Sequence, residues 1–211
     1  VVTGNPLRNN IPIEEKSAAR KRLGLPDCLT ILSAGGSQGA SRINDAVVHL
    51  LSYEQKKGNI NHIHGYGKHG KDTFMQSLAE NGVDPDNEHF IIKEYIDNMY
   101  TCMCASDLII TRAGAMTLTE LMAIGRASIL IPYPYAAENH QYYNALTLQN
   151  ANAGRIIDDK ELTGAVLIDT VTKLTDDPEL LKLMSENAAK LSKHDAAGVI
   201  LREITDLMGL E

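Results

Sequence analysis

Short apolar runs alternate with longer amphipathic stretches along most of this 211-residue chain. The runs are apolar almost throughout, which is typical of strands that are buried on both faces. Such strands, separated by helices, predict an α/β fold, a Rossmann-like parallel sheet with helices on both faces. We predict six strands, at residues 29–34, 60–64, 90–92, 107–111, 128–131 and 155–157. The intervening helices are expected at residues 40–52, 72–81, 97–105, 116–124 and 138–150.

The sequence after residue 160 predicts two or three further helices, from Glu161 to the C-terminus. One of them should begin at Asp177-Pro178-Glu179, because proline is favoured in the first turn of a helix. No internal repeat and no low-complexity tract interrupts the pattern.

The composition restricts the ligands that the chain can bind. Its formal net charge of -7 disfavours nucleic acid, which requires a basic surface. An anionic ligand would have to be held locally, by backbone NH groups, helix N-termini and one or two arginines. No apolar run approaches the ~20 residues that are needed to cross a bilayer.

The cysteines and acidic motifs do not indicate a metal site. Three cysteines are an odd number and fit reduced, cytoplasmic thiols. Cys102 and Cys104 lack the spacing of zinc ligands, and we assign them to helix packing. The D-x-D sequence Asp84-Pro85-Asp86 precedes a strand in a polar stretch and is interpreted as a turn. We predict no metal and no cofactor.

A glycine-rich segment, Gly35-Gly36-Ser37-Gln38-Gly39-Ala40, follows the first strand. Ligands of parallel sheets bind beyond the carboxyl ends of the strands, and glycines there allow the backbone to approach them closely. The following helix would supply NH groups for a phosphate, and Ser37 a hydroxyl. The segment matches neither G-x-G-x-x-G nor an ATP-type P-loop. We favour a phosphate loop over a turn that only packs tightly.

A second glycine turn follows the fourth strand, within residues 111–120. Gly114 precedes a helix that carries a hydroxyl at Thr117 and a carboxylate at Glu120. Thr117 can donate to a phosphate, and Glu120 can accept from both hydroxyls of a ribose. In the alternative interpretation, the two residues form a capping box and only satisfy their own helix. This segment alone leaves both open, and a second glycine turn in the same sheet favours the ligand.

The segment after the fifth strand, residues 132–145, contains amide and phenol groups that can bind sugar hydroxyls. The alternative is an ordinary loop and helix start. His140 by itself receives no catalytic role.

Together these segments resemble the MurG family, which transfers N-acetylglucosamine from UDP-N-acetylglucosamine to undecaprenyl-pyrophosphoryl-muramoyl-pentapeptide. The resemblance covers nearly the whole chain in matching order and spacing. It rests on GNPLR at residues 4–8, GGSQGA at 35–40, EYIDNM at 94–99, TRAGAMTLTEL at 111–121, HQYYNAL at 140–146 and AGRIID at 153–158. Two features depart from the family pattern: Met116 replaces the usual leucine, and residues 135–139 are less charged than expected.

The resemblance implies the C-terminal, donor-binding half of a GT-B glycosyltransferase. Residues 1–10 would be the remnant of an interdomain linker and residues 11–211 the donor-binding domain, with C-terminal helices from about residue 161. The missing initiator methionine favours a fragment of a longer protein. The implied donor contacts are Arg8 and Ser37 on the pyrophosphate, the Ile96 backbone on the uracil, Ala115, Met116 and Thr117 at the phosphate end, Glu120 on the ribose and Gln141 on the sugar.

The same resemblance implies an inverting reaction whose main requirement is stabilisation of the departing pyrophosphate. Two helix N-termini, the hydroxyls of Ser37 and Thr117, and Arg8 can meet this requirement without a metal. The general base and the acceptor surface would belong to an N-terminal domain outside this sequence, so no catalytic residue is assigned here. The full enzyme would act in cell-wall synthesis as a peripheral protein on the cytoplasmic face of the membrane.

Other functions remain open from the sequence. The chain can be the donor-binding subunit of a split transferase, although its linker-like start favours a truncated one. A UDP-sugar 2-epimerase shares the expected architecture. A non-catalytic nucleotide-binding module would use the glycines only for packing, and Thr117 and Glu120 only for capping.

Overall fold

Six parallel strands form the centre of the structure. The strands are β1 (Leu29–Ala34), β2 (Ile60–Gly65), β3 (Phe90–Lys93), β4 (Leu108–Thr111), β5 (Ala127–Leu130) and β6 (Gly154–Ile156). Their order in the sheet is β3-β2-β1-β4-β5-β6, so the direction of strand addition reverses between β1 and β4. The computed structural model describes residues 1–7, 11, 13–193 and 195–209.

Helices cover both faces of this sheet. They are α1 (Lys16–Leu23), α2 (Ser41–Lys57), α3 (Lys71–Glu80), α4 (Met99–Ala105), α5 (Ala115–Ile124), α6 (His140–Asn150), α7 (Gly164–Thr175), α8 (Pro178–Lys190) and α9 (Ala196–Met208). One apolar cluster lies under α2, α3 and α7, and the other under α1, α4, α5 and α6. Neighbouring residues of β1 enter opposite clusters, Ile31 the first and Leu32 the second, which explains why the strands are apolar throughout.

The observed elements confirm the predicted fold class and all six predicted strands, with ends that differ by at most one residue. Helix α2 continues to Lys57, beyond the predicted end at residue 52. Helix α6 begins at His140 rather than at residue 138, because Glu138 and Asn139 have left-handed φ angles of 50° and 54°. The C-terminal region contains α7, α8 and α9, and Pro178 opens α8 as predicted.

Helix α1 was not predicted, because its sequence lacks a regular apolar stripe. Charged contacts add to the apolar packing of Ala19 and Leu23. The buried Arg20 donates from Nε to the carbonyl of Ala105 at 3.0 Å and pairs with Asp107 at 2.6 Å and Asp27 at 2.8 Å. Ion pairs between residues so distant in sequence leave no periodic signal.

The structure also confirms the turn and packing assignments. Asp84 Oδ1 accepts a hydrogen bond from the NH of Asp86 at 3.0 Å, which closes a turn before β3. Cys102 and Cys104 are buried in α4, and burial raises the pKa of the Cys102 thiol to about 11. Within the described ranges, no helix is both long enough and apolar enough to cross a lipid bilayer.

A chain of four buried polar side chains joins α2 to the centre of the sheet. Glu54 Oε2 lies 2.7 Å from Nδ1 of His62, and Ser33 Oγ lies 2.6 Å from Nε2 of the same ring. Ser33 Oγ is also 2.7 Å from Nδ1 of His64. All four side chains are at most 1% exposed. Among the described residues, His64 Nε2 has no hydrogen-bond partner.

Burial favours the neutral form of the acid and of the outer histidine. Desolvation raises the pKa of the Glu54 carboxyl, although His62 opposes the shift. Desolvation, reinforced by His62, lowers the pKa of His64 well below its ordinary value. His64 is therefore neutral in the folded protein, whereas the unfolded chain protonates it below about pH 6.5. The unfolded state then binds the additional proton, so stability falls as the pH falls through this range.

We predict that His64→Asn reduces the loss of stability between pH 7 and pH 5. The histidine can contribute up to about 1.4 kcal/mol per pH unit below ~pH 6.5, and asparagine contributes nothing there. Urea unfolding at pH 7, 6 and 5 measures the slope. His69→Asn, which replaces an exposed histidine, is the control and should keep the parent slope. Equal slopes for His64→Asn and the parent would contradict the assignment.

Candidate functional site

The first glycine loop leaves β1 at the carboxyl edge of the sheet and is fixed by backbone contacts. The NH of Gly39 donates to the carbonyl of Gly36 at 2.9 Å, which closes the turn. From the loop after β2, the NH of Lys68 donates to Ser37 O at 3.1 Å and that of His69 to Gln38 O at 3.2 Å. The loop is therefore clamped on one side by a neighbouring loop.

Two glycines of this loop have left-handed backbones but different surroundings. Gly39 has φ +87°, and a Cβ there would collide with the backbone carbonyl oxygen of Tyr66. Gly36 has φ +94°, and a Cβ there would meet nothing within 4 Å. Gly39 thus allows close loop packing, whereas Gly36 supplies only the turn conformation.

The second glycine loop leaves β4 and becomes α5 at Ala115. Gly114 is the N-cap, with φ -66° and ψ 139°, and it has no side chain to cap the helix. The NH of Leu118 donates to Gly114 O at 3.0 Å and is the first intrahelical bond. The NH groups of residues 115–117 have no intrahelical acceptor and remain available to a ligand.

This helix start excludes the capping box as an interpretation of Thr117 and Glu120. In such a box, Thr117 would be the N-cap and Glu120 the third helical residue. The observed N-cap is Gly114, so Thr117 already lies inside the first turn and Glu120 a full turn deeper. Neither side chain is in position to cap α5.

Arg112 anchors the second loop, a role that the sequence analysis missed. Its Nη1 donates to the carbonyls of Ile131 and Pro132, at 3.1 and 3.2 Å, and to Asp159 Oδ1 at 2.6 Å. Arg42 binds the other carboxylate oxygen of Asp159 at 3.1 Å. The arginine beside the glycine turn was visible in the sequence, but its distant carboxylate partner was not.

The first glycine loop and helix α5, which follows the second glycine loop, line a cavity of about 110 Å³ at the carboxyl edge of β1 and β4. Gly36 comes from the first loop, and Thr117 and Glu120 come from α5. The apolar side of the cavity is formed by Leu32, Ala34, Met99, Met103, Ile109 and Ile110. In the sequence these apolar residues have the pattern of ordinary core positions, so nothing there marks them as part of a site.

An adjacent cavity of about 200 Å³ extends the cleft toward β2 and β3. Ala34, Gly36 and Met99 line both cavities, and Ser37 and Ile96 line this second one. The cleft therefore brings together five of the predicted site residues, namely Gly36, Ser37, Ile96, Thr117 and Glu120.

The remaining predicted residues lie around the cleft or outside the described chain. Ala115 and Met116 are exposed on the first turn of α5 and line neither cavity. Gln141 lies in the first turn of α6, where its Oε1 accepts from the NH of Tyr133 at 3.0 Å. Gly35 and Gly39 belong to the backbone of the first loop. Arg8 lies outside the described residues.

The two helix N-termini have different surroundings. The first turn of α5 contributes Thr117 to the cleft. Ser41 and Asn44 of α2 instead line a separate cavity of about 240 Å³ on the other side of the first loop. The first turn of α5 therefore contributes one side chain to the cleft, and the first loop contributes Gly36 and Ser37.

The reversed strand order and the cleft at the reversal point define a Rossmann-like nucleotide-binding architecture. More narrowly, this is the fold of the C-terminal half of GT-B glycosyltransferases. Residues 30–200 match the model of the glycosyltransferase family 28 C-terminal domain, and the chain belongs to that family.

Curated relatives confirm the resemblance to MurG proteins. A Desulforamulus reducens protein is 38% identical over 209 residues, 98% of this chain and 56% of the relative. It is described as a UDP-N-acetylglucosamine--N-acetylmuramyl-(pentapeptide) pyrophosphoryl-undecaprenol N-acetylglucosamine transferase. A Thermoanaerobacter sp. protein with the same description is 41% identical over 208 residues, again 98% of this chain and 56% of the relative. The chain thus spans about half the length of these relatives.

Solved structures agree with this fold. The crystal structure of Acinetobacter baumannii MurG has a TM-score of 0.77 and 27% identity, and covers 93% of this chain and 54% of that chain. The co-structure of S. aureus MnaA with UDP has a TM-score of 0.69, 11% identity, and coverage of 94% of this chain and 50% of that chain. At that identity the second similarity concerns the fold alone.

We predict that Gly39→Ala destabilises the protein more than Gly36→Ala. Both substitutions place alanine at a left-handed φ, which costs about 1 kcal/mol. Only Gly39→Ala adds a backbone collision, for a total loss of about 2–4 kcal/mol. Urea unfolding of the two variants measures the difference in stability. Equal losses of stability would contradict the close packing of the loop after β1 against the loop after β2.

Proposed function

We propose that this chain binds UDP-N-acetylglucosamine as the donor half of a transferase that glycosylates a lipid-linked muramoyl-pentapeptide. One observation carries the proposal: Gly36 of the glycine turn after β1 lines the same cavity as Thr117 and Glu120 of α5, the helix that begins at the glycine turn after β4. The descriptions of the relatives, whose identity extends over 98% of this chain, supply the substrate pair.

The shape of the cleft supports one orientation of the donor. The uracil would occupy the larger cavity and bind the backbone of Ile96, and the ribose would bind Glu120 in the smaller one. Thr117 and the free NH groups of α5 would then bind the diphosphate, with Ser37 on the opposite loop. The sugar would extend toward Gln141, at the start of α6.

The proposed chemistry places stabilising groups where negative charge develops. In an inverting transfer, an acceptor hydroxyl attacks the anomeric carbon while UDP departs with the bonding electrons. The N-terminus of α5 and the hydroxyls of Ser37 and Thr117 would bind the departing diphosphate more strongly as its charge grows. Arg8 is proposed as the cationic partner. These local groups would bind an anionic donor although the net charge of the whole chain is -7.

The acceptor site and the general base are assigned to the part of the relatives that this chain does not span. Residues 1–10 are proposed as the linker to that part, and residues 11–211 as the donor domain. The exposed Asn5 supports an orientation of this linker along α5, since its Nδ2 donates to Thr119 Oγ1 at 3.1 Å. The whole enzyme is proposed to work peripherally on the cytoplasmic face of the membrane, in cell-wall synthesis that supports cell shape and division.

Glu120→Gln should weaken UDP binding by about 10- to 100-fold. The amide keeps the size of the side chain but replaces an anionic acceptor of two ribose hydroxyls, and hydrogen bonds to charged groups contribute about 1.5–3 kcal/mol. Isothermal titration calorimetry with UDP and with UDP-N-acetylglucosamine measures the loss. Stability should stay within about 1 kcal/mol of the parent, because Glu120 does not cap α5.

Glu80→Gln, on the exposed end of α3, is the matched control and should bind UDP like the parent. Unchanged UDP binding by Glu120→Gln would reject the proposed donor site. A loss of stability without a loss of binding would favour a scaffold in which Glu120 only supports its helix.

The purified chain should bind the donor but should not transfer its sugar. The acceptor surface and base are proposed to lie in the remaining part of the enzyme, so no acceptor hydroxyl can be activated here. Radiolabelled UDP-N-acetylglucosamine, incubated with the chain and a lipid-linked muramoyl-pentapeptide, tests this. Product formed by the chain alone would contradict the division of roles, whereas added N-terminal domain should restore transfer.

A further inference from the structure

The carboxylate of Glu120 already has a hydrogen-bond donor within the protein. The hydroxyl of Tyr100, on α4, donates to Glu120 Oε1 at 2.8 Å. Both side chains are half-buried, and Glu120 lines the smaller cavity beside Met99 and Met103 of the same α4 helix. Among the described residues, no lysine or arginine forms an ion pair with Glu120.

We infer that Tyr100 is a positioning residue that orients the Glu120 carboxylate for the two hydroxyls of a ribose. The inference rests on the proposed function, in which Glu120 binds the ribose of UDP. It adds a residue that touches the carboxylate rather than the ligand, and that determines how strongly the site distinguishes a ribose from a sugar without these hydroxyls.

The stoichiometry of hydrogen bonds permits this role. An ionised carboxylate offers about four acceptor positions on its two oxygens. Tyr100 occupies one of them on Oε1, so Oε2 and the second position on Oε1 remain for the two ribose hydroxyls. The tyrosine therefore fixes the carboxylate without using up the acceptors that the ligand needs.

Conformational freedom explains why such a contact is useful. An unrestrained glutamate loses up to about 2 kcal/mol of rotamer entropy when a ligand fixes it. Tyr100 has only two side-chain torsions, and its ring packs against the apolar cluster under α4 and α5. Its hydroxyl is thus held rigidly, and part of the ordering of Glu120 takes place before the ligand arrives.

The test compares UDP with 2′,3′-dideoxy-UDP, which lacks both hydroxyls, in binding to the full chain and to Tyr100→Phe. The parent should prefer UDP by at least about tenfold, since both ribose hydroxyls bond to a carboxylate. Tyr100→Phe keeps the ring and removes the hydroxyl, so it should reduce this preference at least threefold. Its affinity for dideoxy-UDP should change less than twofold.

Tyr53→Phe is the matched control. Tyr53 is a half-buried tyrosine on α2 whose hydroxyl contacts Thr172 Oγ1 at 3.5 Å, far from the cleft. The Tyr53→Phe variant removes one tyrosine hydroxyl from the same fold and should retain the parent's preference for UDP over dideoxy-UDP. Thermal unfolding of each variant checks that folded proteins are compared, because a general loss of structure would weaken both ligands equally.

A second variant separates positioning from unrelated effects. In a Glu120→Ala background, which removes both acceptor oxygens, Tyr100→Phe should produce no further change in the UDP preference, because the hydroxyl acts through the carboxylate. A further threefold loss in that background would overturn the inference, and the double-mutant comparison needs no assumption about absolute affinities.

The remaining outcomes distinguish this inference from the function on which it rests. A parent protein that binds neither UDP nor dideoxy-UDP would reject the proposed function. A parent protein that binds both equally would reject ribose binding at Glu120, and with it the role of Tyr100. A parent that discriminates, with Tyr100→Phe discriminating equally well, would overturn only the role of Tyr100. Tighter UDP binding by Tyr100→Phe would also overturn it, since the hydroxyl would then compete with the ribose.

Discussion

The pairing of β1 between β2 and β4 is the constraint on which the site depends. Ala34, the last residue of β1, is in register with Gly65 on one side and with Thr111 on the other. The three strands therefore end level, and the chain segments that follow them start at the same edge. Because the chain adds strands outward in both directions from this centre, the segments diverge and leave a cleft between them.

The two glycine loops that border the cleft are held by different means. The first is clamped by backbone hydrogen bonds from the loop after β2, and Gly39 permits the contact. The second is held by a side chain, because Arg112 reaches the end of β5 and Asp159. In both cases the supporting groups come from elements other than the strand that carries the loop, so the cleft forms only when the sheet is complete.

The polar groups of the domain are divided between the cleft and the interior. Thr117 and Glu120 are half-buried and border the cleft, where a ligand can reach them. The chain from Glu54 through His62 and Ser33 to His64 is buried on the α2 side of the sheet and has no exposed member. Its hydrogen bonds compensate most of the cost of burial, and burial favours the neutral forms of Glu54 and His64 because an isolated charge there would be expensive. These groups therefore affect stability, whereas the cleft carries the proposed binding chemistry.

The sequence by itself determined the fold class, the six strands and the two glycine turns, because apolar runs and glycines act locally. It also indicated the family, since six motifs in a fixed order are far more specific than any one of them. The capping interpretation of Thr117 and Glu120 could not be decided from the sequence. It depended on where α5 begins, and only the structure showed that Gly114 is the N-cap. The contacts of Arg20 with Asp107, of Arg112 with Asp159 and of Tyr100 with Glu120 were likewise decided by tertiary structure. Each joins side chains that have no periodic relation in the sequence, and folding alone brings them within hydrogen-bond distance.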